Sequence, residues 1–364
     1  MSRTLWTNPH TCHSEQGRRP GEESAVKVSG LSLSFRTGRK PGEESVVRVS
    51  HLARLLLTAC ALIAPAAAQT IPDLLSQGRV DQAIQTLDQQ IRTSPSPEAY
   101  NELCRAQFEL GAWDAGIPDC EKATELAPEN GLYHLWLGRI YGEKADHVGF
   151  LTAAGLAGKV RTEFERAVEF SPNSWEARSD LAEFYLEAPG IVGGSKDKAL
   201  AQADQIAPLD PAMADWVKGR IDEKNKENAD AEKEYRAAIE ASHGGARAWL
   251  NLAGFYHHQN RLDDMEQALR TLETRPLDHP AALVDGANIL LRTGTDYPLA
   301  VRLVRRYLAS NTVEEAPSFK AHCLLGELLE KENDRAAAAA EYRAALALAH
   351  TYRPAQEGLK RTTR

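Results

Sequence analysis

Leu137-Gly138 followed by Tyr141 is matched by Leu181-Ala182 with Tyr185, Leu252-Ala253 with Tyr256, and Leu325-Gly326 with Leu329. Each is a leucine, a small residue, two spacers and a large apolar residue. Positions i, i+1 and i+4 share one face of a helix, so the pattern predicts helices that bury a stripe and admit a close neighbour at the small residue. A second pattern follows, a large residue, two spacers and an alanine: Phe164/Ala167, Tyr235/Ala238 and Tyr342/Ala345. Breaks fall at Pro95, Pro128, Pro172 and Pro211, which lie 33, 44 and 39 residues apart. Paired amphipathic helices at a period near 34 predict a helical solenoid.

In these motifs the chain resembles the tetratricopeptide repeat (TPR) family. The resemblance implies an all-α fold, a right-handed superhelical α-solenoid of helix-turn-helix repeats with about seven to eight units. Units are expected near 69–96, 97–130, 131–174, 175–211, 212–245, 246–280, 281–318 and 319–350, with a capping helix in 351–364. The sequence departs from the family pattern at Cys104 and Asn288 in the small position, at Gly116 for alanine and at Lys218 for leucine. On this reading Leu137, Gly138 and Tyr141 are solenoid core, and Trp136 lies beside the core stripe.

The third and fourth units are longer than the rest. GEKADHVGFLTAAGLAGKVR (142–161) is too apolar for a solvated loop. It is expected either to fold over the adjacent unit or to project as a partner-binding element. EAPGIVGGSKDKA (187–199) has Pro189, Gly190, Gly193 and Gly194, which stop a helix and predict a shaped loop pinned by Ile191 and Val192. It lacks the spacing of a phosphate-binding loop.

One strongly apolar run, Leu55–Ala68, is 14 residues long, short of the roughly 20 that cross a bilayer as a helix. Arg48, His51 and Arg54 precede it, and Pro65 stands before Ala66-Ala67-Ala68. That order predicts a signal peptide over 48–68 with a mature start at Gln69. An alternative is a bacterial lipoprotein with Cys60 lipidated. Residues 1–47 carry a near-duplicate, GRRPGEESAVKVS (17–29) and GRKPGEESVVRVS (38–50). They read as a disordered extension or as coding sequence upstream of a later start at Val46, Val47 or Val49. His10, Cys12 and His13 fall there and are not taken as a metal site.

The formal charge of −8 excludes a general nucleic-acid role, since no basic surface dominates. Beyond Ala68, 34 basic residues face 46 acidic ones, a charge of −12 that favours basic partners. Catalytic signatures are missing from the sequence. His257 and His258 sit about 100° apart on a helix and chelate poorly. No enzyme activity, cofactor or metal is expected. Cys104 and Cys120, on the two helices of one unit, are a possible disulfide, leaving Cys323 unpaired.

The resemblance also implies function. Stacked first helices line a concave groove that holds peptide or protein segments. The groove candidates are Arg105, Phe108, Trp136, Arg139, Asp180, Glu183, Trp216, Arg220, Asn251 and His257. The chaperone type of this fold clamps a carboxylate with lysines and asparagines. Arg247, Asn251 and Lys320 match that set too thinly for the activity to be carried over. The expectation is a non-enzymatic protein–protein interaction scaffold of the bacterial periplasm or cell envelope. It would bind a protein or peptide and no nucleic acid, and would meet the membrane only through a lipid anchor. Two alternatives stand beside it: a self-assembling structural repeat protein, and an accessory subunit of an envelope enzyme with 142–161 as a lid.

Overall fold

The computed structural model describes residues 69–363. The expectations on the upstream extension, the signal peptide and Cys60 lie outside them. The described residues form 17 α-helices and one short 3-10 turn, with no strand among them. In chain order these are α1 (Ile71–Ser76), α2 (Val80–Thr93), α3 (Pro97–Glu109), α4 (Trp113–Leu126), α5 (Gly131–Asp146) and α6 (Phe150–Phe170). Then come α7 (Trp175–Glu187), α8 (Lys196–Ile206), α9 (Pro211–Asn225), α10 (Asn228–Ala241), α11 (Ala246–His258) and α12 (Leu262–Glu273). The last are α13 (Ala281–Thr293), α14 (Tyr297–Leu308), α15 (Ser318–Lys331), α16 (Arg335–Leu348) and α17 (Arg353–Thr362). Each odd helix from α1 to α15 packs on the even helix that follows, and successive odd helices from α3 on also touch, with α5 and α7 joined through Arg139 and Asp180.

Local chemistry starts many of these helices. The side chains of Ser96, Ser174, Asp210, Asp296 and Asp334 accept hydrogen bonds from backbone N–H groups two or three residues into α3, α7, α9, α14 and α16. Such caps satisfy donors that have no partner inside the helix. Pro97 and Pro211 occupy first-turn positions, where a missing N–H costs nothing.

The small residue and the aromatic of the two motifs meet. A Cβ on Gly138 would lie 2.5 Å from the Phe164 ring, one on Gly326 2.8 Å from the Tyr342 ring, and one on Gly219 3.3 Å from that of Tyr235. The missing side chain on the first helix is the seat for the ring on the second. In the pair α3/α4 the seat is Cys104 and the ring position is Cys120. These two are joined by a disulfide with Cα atoms 5.3 Å apart and 16 positions between them in sequence, the same offset as Gly219 to Tyr235. A covalent bond thus replaces the ring-on-glycine contact, and Cys323 stays buried and free.

The long segments differ from expectation. Most of 142–161 is helix: α6 runs for 21 residues, against 14 or fewer in the other second helices, and extends toward its N-terminus beyond α5. It does not fold over a neighbour, for Phe150 and Leu151 are 81% and 86% exposed. In the shorter segment Ile191 is 95% exposed and pins nothing. The loop is held instead by Arg161, whose Nη1 donates to the Val192 carbonyl at 3.3 Å.

From Thr70 on the chain packs as one unit, and its two ends meet. The helix α2 contacts α16, and the His350 N–H donates to the Asp81 carboxylate at 2.8 Å. Gly78, with φ of +69°, makes this approach possible, because a Cβ there would lie 2.6 Å from the Ser318 backbone nitrogen.

Candidate functional site: a clasped inner face with an open pocket

Side chains that project from the first helices toward their counterparts on neighbouring units fall into two regions. In the first, Trp136 is held between the guanidinium carbons of Arg105 and Arg139, each 5.0 Å from its ring centroid. Phe108 meets it edge-on at 5.5 Å. Arg139 Nε donates to the Asp180 carboxylate at 2.6 Å with both side chains buried. Arg105 Nε donates to Glu314 at 2.8 Å, and its Nη2 pairs with the same carboxylate. Lys320 Nζ donates to Glu109 at 2.6 Å. Residues some 210 positions apart in sequence are thereby clasped together.

The row continues through Arg220, which bonds Glu187 at 2.7 Å, lies 3.8 Å from Glu183 and sits 6.0 Å from the Trp216 ring centroid. Eight of the ten expected groove residues, from Arg105 to Arg220, therefore lie in this row. They face one another and the 314–320 segment, and Trp136, Arg139, Asp180, Glu183 and Trp216 are buried. Periodicity placed them on one face, but it could not reveal that the array closes on that face.

The clasp is electrostatically tense. Burial raises the carboxyls of Glu102, Glu109, Glu183 and Glu315 to about 7, against the pull of nearby Arg105, Lys320 or Arg220. Half-buried Asp285 is raised to about 7 by the same cause. Glu109, Glu314 and Glu315 were missed in the sequence. Glu314 and Glu315 had as their only signal an acidic pair in the segment before α15, and Glu109, at the end of α3, had none.

The second region is a pocket of about 320 Å³ between the start of α9, the end of α10 and the start of α11. Asn251 lines it and is 8% exposed, and its side-chain oxygen has no hydrogen-bond partner. Arg247 stands one turn earlier on α11. Its guanidinium stacks on Trp175 at 4.9 Å and its Nη2 donates to His279 Nδ1 at 3.1 Å, while its Nε is unpartnered. Asp210 and Asp278 complete the polar lining. His257, the remaining expected groove residue, is half-buried on α11 outside this pocket. Its imidazole is held below the usual range by burial, by His258 and by Arg292. Its neighbour His258 is bonded instead to Glu223 at 2.8 Å.

The TPR family profile matches residues 70–131, 217–282 and 284–352, more than half of the chain. The chain belongs to the tetratricopeptide repeat family. The unmatched stretch, 132–216, holds the lengthened α6 and the 3-10 loop of this TPR array. TPR proteins mediate protein–protein interaction and scaffolding. Solved structures resemble the array in fold. One is the C-terminal part of a TPR protein from Cytophaga hutchinsonii: 16% identity, TM-score 0.39, 79% of this chain and 96% of that one. Another is a TPR protein of Thermus thermophilus, at 19%, 0.41, 54% and 100%. A third is in the APC/C hetero-tetramer Cut9-Hcn1, at 13% identity and a TM-score of 0.37 over 80% of this chain. The array spans about half, 54%, of that longer protein. No curated protein matches the chain.

Proposed function

We propose that this TPR protein is a non-enzymatic interaction scaffold of the bacterial periplasm or cell envelope, docking a peptide or protein segment on the inner face of its array. The observation that carries the reading is the pocket at α9 and α11. There α11 borders a cavity, and two polar atoms of residues that line it, Asn251 Oδ1 and Arg247 Nε, meet no protein partner. A buried polar atom without a partner costs about 1–3 kcal/mol, and a peptide bond carries the donor and the acceptor that would satisfy both. The helices that border the cavity are already capped and packed, which limits the ordering cost of binding.

Two observations support export. The basic flank, apolar run and Ala-rich end of 48–68 have the order of a secretory signal. The disulfide between Cys104 and Cys120 suits an oxidising compartment. The meeting of α2 with α16 leaves less free end surface for stacking copies, which speaks against self-assembly.

A photocrosslinking residue placed at Ala212 or Ser242 in cells tests the reading, with Gln89 on the outer surface as control. Reproducible crosslinks from the pocket positions to one envelope protein are expected. Crosslinks only between copies of this chain would replace the scaffold with a self-assembling protein. Fractionation separates cleavage before Gln69, which releases a soluble product, from lipid attachment at Cys60, which leaves it in the membrane.

A further inference from the structure

Resting on the reading of the pocket as a peptide site, we propose that it selects a segment carrying an arginine or lysine side chain. Three groups on different elements argue for a cation.

Asp210 caps α9, its Oδ1 accepting from the Met213 N–H at 3.0 Å. Asp278 does the same for α11 from outside that helix, its Oδ1 accepting from the Ala246 N–H at 3.0 Å. Helix N-termini ordinarily attract anions through their free N–H groups. Here two carboxylates already occupy those donors. Each uses one oxygen as a cap, and both residues line the pocket, so the site carries carboxylates where a bare helix end would present donors.

The approach of Asp278 is built in. A Cβ on Gly245 would stand 2.6 Å from Asp278 Oδ2, so the glycine makes room for the carboxylate. The independent observation is Asn251, nine-tenths buried, whose unpartnered oxygen adds a third acceptor in the same cavity.

Arg247 is the one arginine or lysine among the described residues that line the pocket. It is tied to the wall by Trp175 and His279, and its Nε has no protein partner. Two carboxylates against one guanidinium leave the pocket net negative. A basic side chain forms charge-assisted hydrogen bonds with Asp210 and Asp278, which are stronger than neutral ones. The acidic balance of the chain beyond Ala68, 34 basic to 46 acidic residues, draws such segments from a distance.

The test is calorimetric titration of the full chain with acetylated, amidated pentapeptides of sequence Gly-Gly-Xaa-Gly-Gly, where Xaa is arginine, lysine, norleucine or glutamate. The arginine and lysine peptides are expected to bind at least about tenfold more tightly than the norleucine peptide, with affinity falling as salt rises. The glutamate peptide is expected to be weakest. Asp210→Asn and Asp278→Asn keep a capping oxygen and remove the charge. Each should weaken the arginine peptide about tenfold and leave the melting temperature unchanged, which separates recognition from folding. Equal binding of the norleucine peptide, or tighter binding of the glutamate peptide, would overturn the proposal and leave the peptide-site reading standing. Binding of all four peptides that is indifferent to Asn251→Ala and to both aspartate variants would overturn the proposal and the pocket reading together. So would the absence of binding by any peptide.

Discussion

The clasp around Trp136 and the pocket around Asn251 both draw on side chains that first helices turn toward neighbouring units, yet one is closed and the other open. In the clasp the charges come in matched pairs, Arg139 with Asp180, Arg105 with Glu314 and Lys320 with Glu109. In the pocket the polar groups cap helices or stack on the wall around a cavity, while buried atoms without a partner occur in both regions, Glu109 Oε1 and Glu183 Oε2 in the clasp and Asn251 Oδ1 and Arg247 Nε at the pocket. A repeat face becomes structure where a later repeat supplies the complementary charge, and remains a binding surface where none arrives. This difference can be broken from either side.

The largest effect is expected at Arg139, since its removal leaves Asp180, 2% exposed, as a buried charge without its guanidinium. Arg139→Leu should cost about 3 kcal/mol or more in urea unfolding. Adding Asp180→Leu should return most of the loss, because an apolar pair needs no compensation. A double variant no better than the single one would show that the pair is not the unit of stability.

The disulfide comes next. Closing a loop of about this length is worth about 3 kcal/mol, and Cys104→Ala with Cys120→Ala forfeits both the bond and the contact that replaces a ring. Thermal unfolding with and without reductant measures it, and an unchanged midpoint would mean that the bond is dispensable.

Opening the clasp at its partly exposed end should cost less. Lys320→Gln leaves buried Glu109 without its cation, at about 1–2 kcal/mol. Small-angle scattering should then show a larger radius of gyration as the 314–320 segment separates from α3. An unchanged radius would mean that the contact between α2 and α16 holds the array shut alone.

The buried carboxylates give the closed region a pH dependence. Glu102, Glu109, Glu183, Asp285 and Glu315 bind their protons more tightly in the folded chain, near 7, than at the ordinary value of 3.8 to 4.5. Folding therefore takes up protons between these values, and stability falls as pH rises through that window. His134, raised by its hydrogen bond to Glu163, acts in the same direction. Carboxyls lowered by their partners, such as Glu232 at about 2, withdraw stability only in stronger acid. The melting temperature should rise as pH is brought from 8 to 5, and a midpoint highest at pH 8 would contradict the assignment. The smallest effect is expected at the pocket, where Asp210→Asn and Asp278→Asn should each stay within about 0.5 kcal/mol of the parent because asparagine caps nearly as well.

The helix pairs were legible because their chemistry repeats: a small residue on one helix faces a ring on the next, as at Gly138 with Phe164 and Gly326 with Tyr342. The phase of that pattern also put Cys104 in the small position and so made the bond to Cys120 foreseeable. Closure was not legible. It accumulates from a small rotation at every repeat and is completed by pairs such as Arg105 with Glu314, whose sequence distance carries no local signal. The pocket was half legible. Asn251 follows from the period of α11, whereas Asp210, just before Pro211, and Asp278 fall at the ends of units, where no repeat pattern runs.

Hydrogen–deuterium exchange of the full chain, with and without the acetylated Gly-Gly-Arg-Gly-Gly amide, tests the division most directly. New protection is expected over 210–213, 245–251 and 278–279, and none over 105–109 or 314–320. Protection gained at the clasp, with the pocket unchanged, would contradict that division.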